Sequence, residues 1–127
     1  MNDTDQVRVL IVDDQPMFVF ALRELLLGDE RISVVATTDN AAHAIELATT
    51  DAIDVVLMDL TMPGMGGLEA TRTLKRQAPE TRVIVVTGRV AAEDETAATD
   101  AGAVGFMRKG ALGGDVGDAV VRAAATA

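Results

Sequence analysis

A chain of 127 residues, 49% of them hydrophobic, has material for one domain around one core, expected to span residues 1–127 with no output domain in this chain. Its formal charge is −9, and its 11 lysines and arginines are dispersed, which argues against direct nucleic-acid binding and against anionic membrane surfaces. There is no cysteine for a disulfide or a thiolate metal site, every apolar run is cut by a charge or a glycine before it reaches membrane-spanning length, and residues 1–6 lack the basic start and apolar stretch of a signal peptide; together these favour the cytoplasm.

The first strand is expected over residues 7–12 (VRVLIV) and the first helix over 16–27, with Pro16 suited to its first turn and Met17, Ala21, Leu22 and Leu25 at helical spacing. Residues 17–22 are six apolar side chains in a row, more than one helix face can bury. Val19 and Phe20 are therefore expected either to lie under neighbouring loops or to form an exposed patch for a homodimer or partner protein. A second strand (32–36, ISVVA) leads to a helix over 40–49 with Asn40 as its N-cap. The single histidine, His43, falls on that helix, away from the strand carboxyl ends, and reads as a surface or half-buried residue and not a catalyst. Residues 53–58 (IDVVLM) read as a strand, 67–76 as a helix, 82–86 (RVIVV) as a strand and 92–101 as a helix. This fourth helix offers only small residues inward and should be weakly anchored. Gly102 looks like its stop, residues 104–107 (VGFM) form the last strand, and 112–124 the last helix, with an irregular start at Gly113 and Gly114.

Five β–α units in tandem imply an α/β fold with an open, doubly wound parallel sheet. In such sheets the working site lies at the carboxyl ends of the strands. Asp13 and Asp14 follow the first strand, Asp59 the third, Thr87 the fourth, and Arg108 and Lys109 the fifth. Crowded carboxylates repel one another unless a cation is present. Oxygen ligands without histidine or cysteine suit a hard cation, Mg²⁺ in particular. A carboxylate can act as nucleophile toward phosphorus, a lysine can pair with the carboxylate and then the phosphate, and a hydroxyl can donate to a phosphoryl oxygen. Lys109 can pair first with Asp59 and then with the phosphate as a point charge.

The segments VRVLIVDDQP (7–16), DVVLMDLTMPGMGGLEA (54–70), VIVVTG (83–88) and GAVGFMRKG (102–110) resemble response-regulator receiver domains of two-component systems, most closely the NarL/FixJ subgroup. The resemblance implies a flavodoxin-like (βα)5 sheet with strand order 2-1-3-4-5. It implies Asp59 as phosphoacceptor, and Asp13, Asp14, Asp59 and the Thr61 backbone carbonyl as Mg²⁺ ligands. Thr87 and Lys109 would contact the phosphoryl group, and Thr87 with Phe106 would form the switch, Phe106 standing where tyrosine is more frequent. The implied phosphodonor is a histidine kinase or a small molecule such as acetyl phosphate. The implied output is an output domain or partner protein, with transcription regulation as the usual end. Such a receiver assists its own phosphorylation and dephosphorylation but turns over no separate substrate. Gly64, Gly66 and Gly67 would give the loop beside Asp59 its backbone freedom.

Three other readings fit less well. An aspartate-nucleophile phosphatase would offer a second carboxylate two residues after the nucleophile, where Thr61 stands; a degenerate receiver acting only through protein contacts would not need the full set of acids, hydroxyl and lysine; and a flavin-binding relative would want aromatic stacking groups, whereas this chain has no Trp or Tyr.

Overall fold

Short aliphatic runs assemble into one five-stranded, all-parallel sheet in the order β2-β1-β3-β4-β5, the arrangement expected from the sequence. The structure, a computed structural model, describes residues 6–62, 64–88 and 92–125. Residues 1–5, 63, 89–91 and 126–127 lie outside the described residues. The elements are β1 (Val7–Val12), α1 (Pro16–Leu27), β2 (Ile32–Thr38), α2 (Ala41–Thr50), β3 (Val55–Met58), α3 (Gly67–Gln77), β4 (Arg82–Thr87), α4 (Ala92–Ala101), β5 (Gly105–Arg108) and α5 (Val116–Ala124). None of the helices is long and apolar enough to cross a membrane, among the described residues.

Alternation along the strands divides the core in two. Leu10, Val12, Val56, Met58, Val83 and Val85 point to one face, where α2, α3 and α4 cover them with Ala44, Ala48, Leu74 and Ala98. Val9, Ile11, Val55, Leu57, Ile84 and Val86 point to the other, where α1 and α5 supply Leu22, Leu26, Val116 and Val120. Strands buried on both faces explain the continuous apolar runs in the sequence.

The differences from the sequence reading have local causes. β3 starts two residues later than expected, because the Asp54 side chain accepts the Arg8 backbone N–H at 2.8 Å at the edge of the ladder. β5 is shifted by one residue, so Arg108 ends the strand and Lys109 opens a single 3-10 turn. α5 begins at Val116, after an irregular stretch that contains Gly113 and Gly114. Asn40 caps α2 as expected, its Oδ1 accepting the His43 N–H at 2.9 Å. Gly102 ends α4 with φ +112°, a conformation L side chains rarely adopt. The buried residues of α4 are Asp94, Ala98 and Ala101, so its apolar anchorage is alanine alone. Arg31 ties the α1–β2 turn to α5, its Nη2 lying 2.7 Å from Asp29 and 2.8 Å from Asp118. That guanidinium holds the Asp29 carboxyl down at about 2.

Candidate functional site

Parallel strands all end on the same rim, and this brings together side chains far apart in sequence. β1 delivers Asp13, whose backbone N–H donates to the Thr38 carbonyl at the end of β2 (3.0 Å). β3 delivers Asp59, tied to the end of β1 by its N–H donating to Val12 (3.0 Å). Carboxylate oxygens of Asp13, Asp14 and Asp59 lie within 4.8 Å of one another, Asp14 exposed and the other two buried. This acidic pocket fits a hard cation: all donors are carboxylate oxygens, and the exposed Asp14 side leaves room for the waters that magnesium retains.

Asp59 is 1% exposed. Burial, and then the neighbouring Asp13 charge, push its carboxyl above the usual carboxylate range, while Lys109 and hydrogen bonds from Thr61 act in the opposite direction. The Thr61 hydroxyl donates to both Asp59 oxygens, at 3.2 Å to Oδ1 and 3.0 Å to Oδ2. This side-chain contact was not foreseen from the sequence, which marked only the Thr61 carbonyl.

Lys109 pairs with Asp59 as expected, and more closely with Asp13. Its Nζ lies 2.8 Å from Asp13 Oδ2 and 3.9 Å from Asp59 Oδ1, so its first partner is Asp13. It also donates to Gln15 Oε1 at 2.5 Å and stands 4.5 Å from the Phe18 ring centroid. The physical reason is that Asp59 already accepts from Thr61, whereas α1 presents an acceptor and an aromatic face beside Asp13. Gln15 and Phe18 were missed in the sequence. The available signal was position: Gln15 directly follows the acid pair, and Phe18 is less than one helical turn further on.

Thr87 ends β4, fully buried and paired in register with Arg108, one residue before Lys109. Phe106 on β5 is half-buried and packs against the core face covered by α2, α3 and α4. Arg108 is exposed. His43 is exposed, as expected, but stands nearer the rim than expected. The first turn of α2 starts at the rim, and His43 Nδ1 lies 3.0 Å from Thr38 Oγ1, on the residue whose carbonyl takes the Asp13 N–H. It is thus one strand away from the acids, not remote from them. On α1, Phe20 is 64% exposed, whereas Val19 is half-buried against the core of its own face.

Residues 9–120 match the protein family described as response regulator receiver domain. The chain belongs to this family. It is 44% identical over 107 residues to the response regulator GacA of Pseudomonas aeruginosa, covering 83% of this chain and 49% of that protein. It is 39% identical over 109 residues to the nitrate/nitrite response regulator NarP of Escherichia coli, covering 86% of this chain and 51% of that one. The receiver domain of the NarL response regulator from Mycobacterium tuberculosis superposes with a TM-score of 0.91 at 29% identity, over 97% of this chain and 99% of that chain. The NarL/FixJ character read from the motifs therefore holds. The receiver spans about half the length of the curated relatives it matches.

Proposed function

We propose that this receiver is a phosphorylation switch whose acceptor is Asp59. The observation that carries the reading is one buried carboxylate held at the rim between two further carboxylates and a lysine. A carboxylate oxygen of Asp59 attacks the donor phosphorus, and the bond from phosphorus to the imidazole nitrogen of a histidine kinase, or to the acetate oxygen of acetyl phosphate, breaks. The Thr61 hydroxyl first leaves the attacking oxygen. Lys109, 3.9 Å from Asp59 Oδ1, turns toward the added phosphoryl oxygens as a point charge, and the Thr87 hydroxyl donates to one of them. Asp13, Asp14, Asp59 and the Thr61 carbonyl would hold magnesium, which when bound neutralises charge on the phosphoryl group. No carboxylate stands at position 61 to hydrolyse a separate substrate, which supports a switch over a turnover enzyme.

The switch passes from Thr87 through Phe106 and the lightly anchored α4 to an output domain or partner protein, with transcription regulation as the outcome. Incubation with magnesium and acetyl phosphate, followed by intact mass, is expected to show one added phosphoryl group in the parent and none in Asp59→Asn. Equal labelling of both proteins would move the acceptor elsewhere, and no labelling of the parent even with a histidine kinase would end the reading.

The apolar surface of α1 supports a homodimer or partner contact, carried by exposed Met17, Phe20 and Leu27 more than by Val19. Phe20→Glu is expected to weaken self-association by about tenfold or more, followed by sedimentation, since it places a charge in an apolar contact without touching the core. Unaltered sedimentation of a parent that does self-associate would place the dimer contact on another face.

A further inference from the structure

We infer that Gln15 and Phe18 are positioning residues that hold the Lys109 ammonium on Asp13 in competition with magnesium, and so set how tightly the acidic pocket takes that ion. The inference rests on the magnesium reading proposed above and adds two residues to it. Both oxygens of Asp13 are engaged: Oδ1 accepts the Gln15 backbone N–H at 2.8 Å, and Oδ2 faces Lys109 Nζ at 2.8 Å. The same ammonium donates to Gln15 Oε1 at 2.5 Å and lies over the Phe18 ring, 4.5 Å from its centroid. Its side chain is 12% exposed, so these contacts stand in place of water. Three of the four groups around the ammonium, Asp13, Gln15 and Phe18, come from the short stretch 13–18 that leads from β1 into α1; Asp59 is the fourth.

The residue types suit the task. An amide oxygen and an aromatic face attract a cation without bringing a further negative charge into a pocket that already has three carboxylates. Gln15 occupies the N-cap position of α1 and makes no side-chain cap hydrogen bond; its amide oxygen accepts from Lys109. Magnesium at Asp13 would need the oxygen that Lys109 now faces, and two cations do not share it closely. The ammonium must then shift toward Asp59, losing Gln15 and Phe18, and that loss is subtracted from the metal's affinity.

Magnesium binding to the whole chain, measured by titration calorimetry, tests this. Phe18→Leu and Gln15→Met are each expected to lower the magnesium Kd by about three- to tenfold. Phe18→Tyr, which keeps the aromatic face, should stay near the parent. Lys109→Met should bind magnesium tighter still, and adding Phe18→Leu to it should change nothing further, because the ammonium that Phe18 holds is gone. Unchanged or weaker binding in folded Phe18→Leu and Gln15→Met, beside tighter binding in Lys109→Met, would overturn the inference and leave the metal site standing. Absence of magnesium binding in both the parent and Lys109→Met would overturn the metal site and the inference with it.

Discussion

Replacing Gly67 with alanine is expected to destabilise the protein by about 3 kcal/mol, roughly 10 °C in Tm, read by thermal and urea denaturation. Gly67 opens α3 and is buried against the end of β3. A Cβ there would sit 2.9 Å from the Leu60 Cα and 3.0 Å from the Asp59 carbonyl carbon, and closer still to the Asp59 carbonyl oxygen. All three obstacles are backbone atoms, so no rotamer change relieves them. Either α3 lifts off the sheet or the end of β3 moves, and the latter carries Asp59 with it. Phosphoryl acceptance by the folded fraction should therefore fall together with stability. Gly66→Ala is the matched control: its Cβ would meet nothing within 4 Å, and its φ of −74° suits any residue. It should change stability by less than about 0.5 kcal/mol. A Gly67→Ala protein as stable as the parent would show that the α3–β3 junction is looser than its geometry.

The three glycines of this loop illustrate what the sequence did and did not reveal. Read together they suggested backbone freedom, yet only Gly64, at φ +81°, adopts a conformation that demands it. Gly67 is required for a close approach of helix to strand, which depends on a tertiary neighbour and has no local signature. The same division holds for the site. Asp13, Asp14, Asp59, Thr87 and Lys109 were placed at strand ends by the apolar runs that precede them, and parallel topology then carried them to one rim. Which of them touch was not legible, because side-chain direction at a loop depends on what competes for each group. Thr61 takes the Asp59 oxygens, so Lys109 turns to Asp13; His43 looked remote only because a helix position was judged without knowing that α2 begins beside β1. Element boundaries moved by a residue or two where a side chain substitutes for the backbone ladder, as Asp54 does for Arg8.

Asp59→Asn is expected to make the protein more stable at neutral pH, by about 1–2 kcal/mol, in addition to abolishing phosphoryl acceptance. Burial and the Asp13 charge raise the Asp59 carboxyl above its ordinary range, so the folded state prefers the neutral form. The sign follows from proton counting. Between the unfolded and folded pKa values the native protein holds a proton that the unfolded chain has released, so stability falls as pH rises through that window. Above it the cost of the buried charge is fully present, and asparagine removes it. The amide can still accept from the Thr61 hydroxyl, and its N–H groups face carboxylates instead of adding to them. Denaturation of both proteins at neutral pH and at roughly pH 4 should show a gap that narrows on acidification, as Asp59 regains its proton. Magnesium should close the gap from the other side, stabilising the parent by about 2.7 kcal/mol at a hundred times its Kd and the asparagine variant by less. If the variant were less stable at neutral pH, or the gap did not narrow in acid, Lys109 and Thr61 would have to outweigh burial and Asp13, and Asp59 would sit in a pocket already satisfied without a metal. The charge balance of the acceptor is thus what couples stability, magnesium and phosphoryl transfer: a carboxylate the fold holds at a cost gains most from any partner that brings positive charge to it.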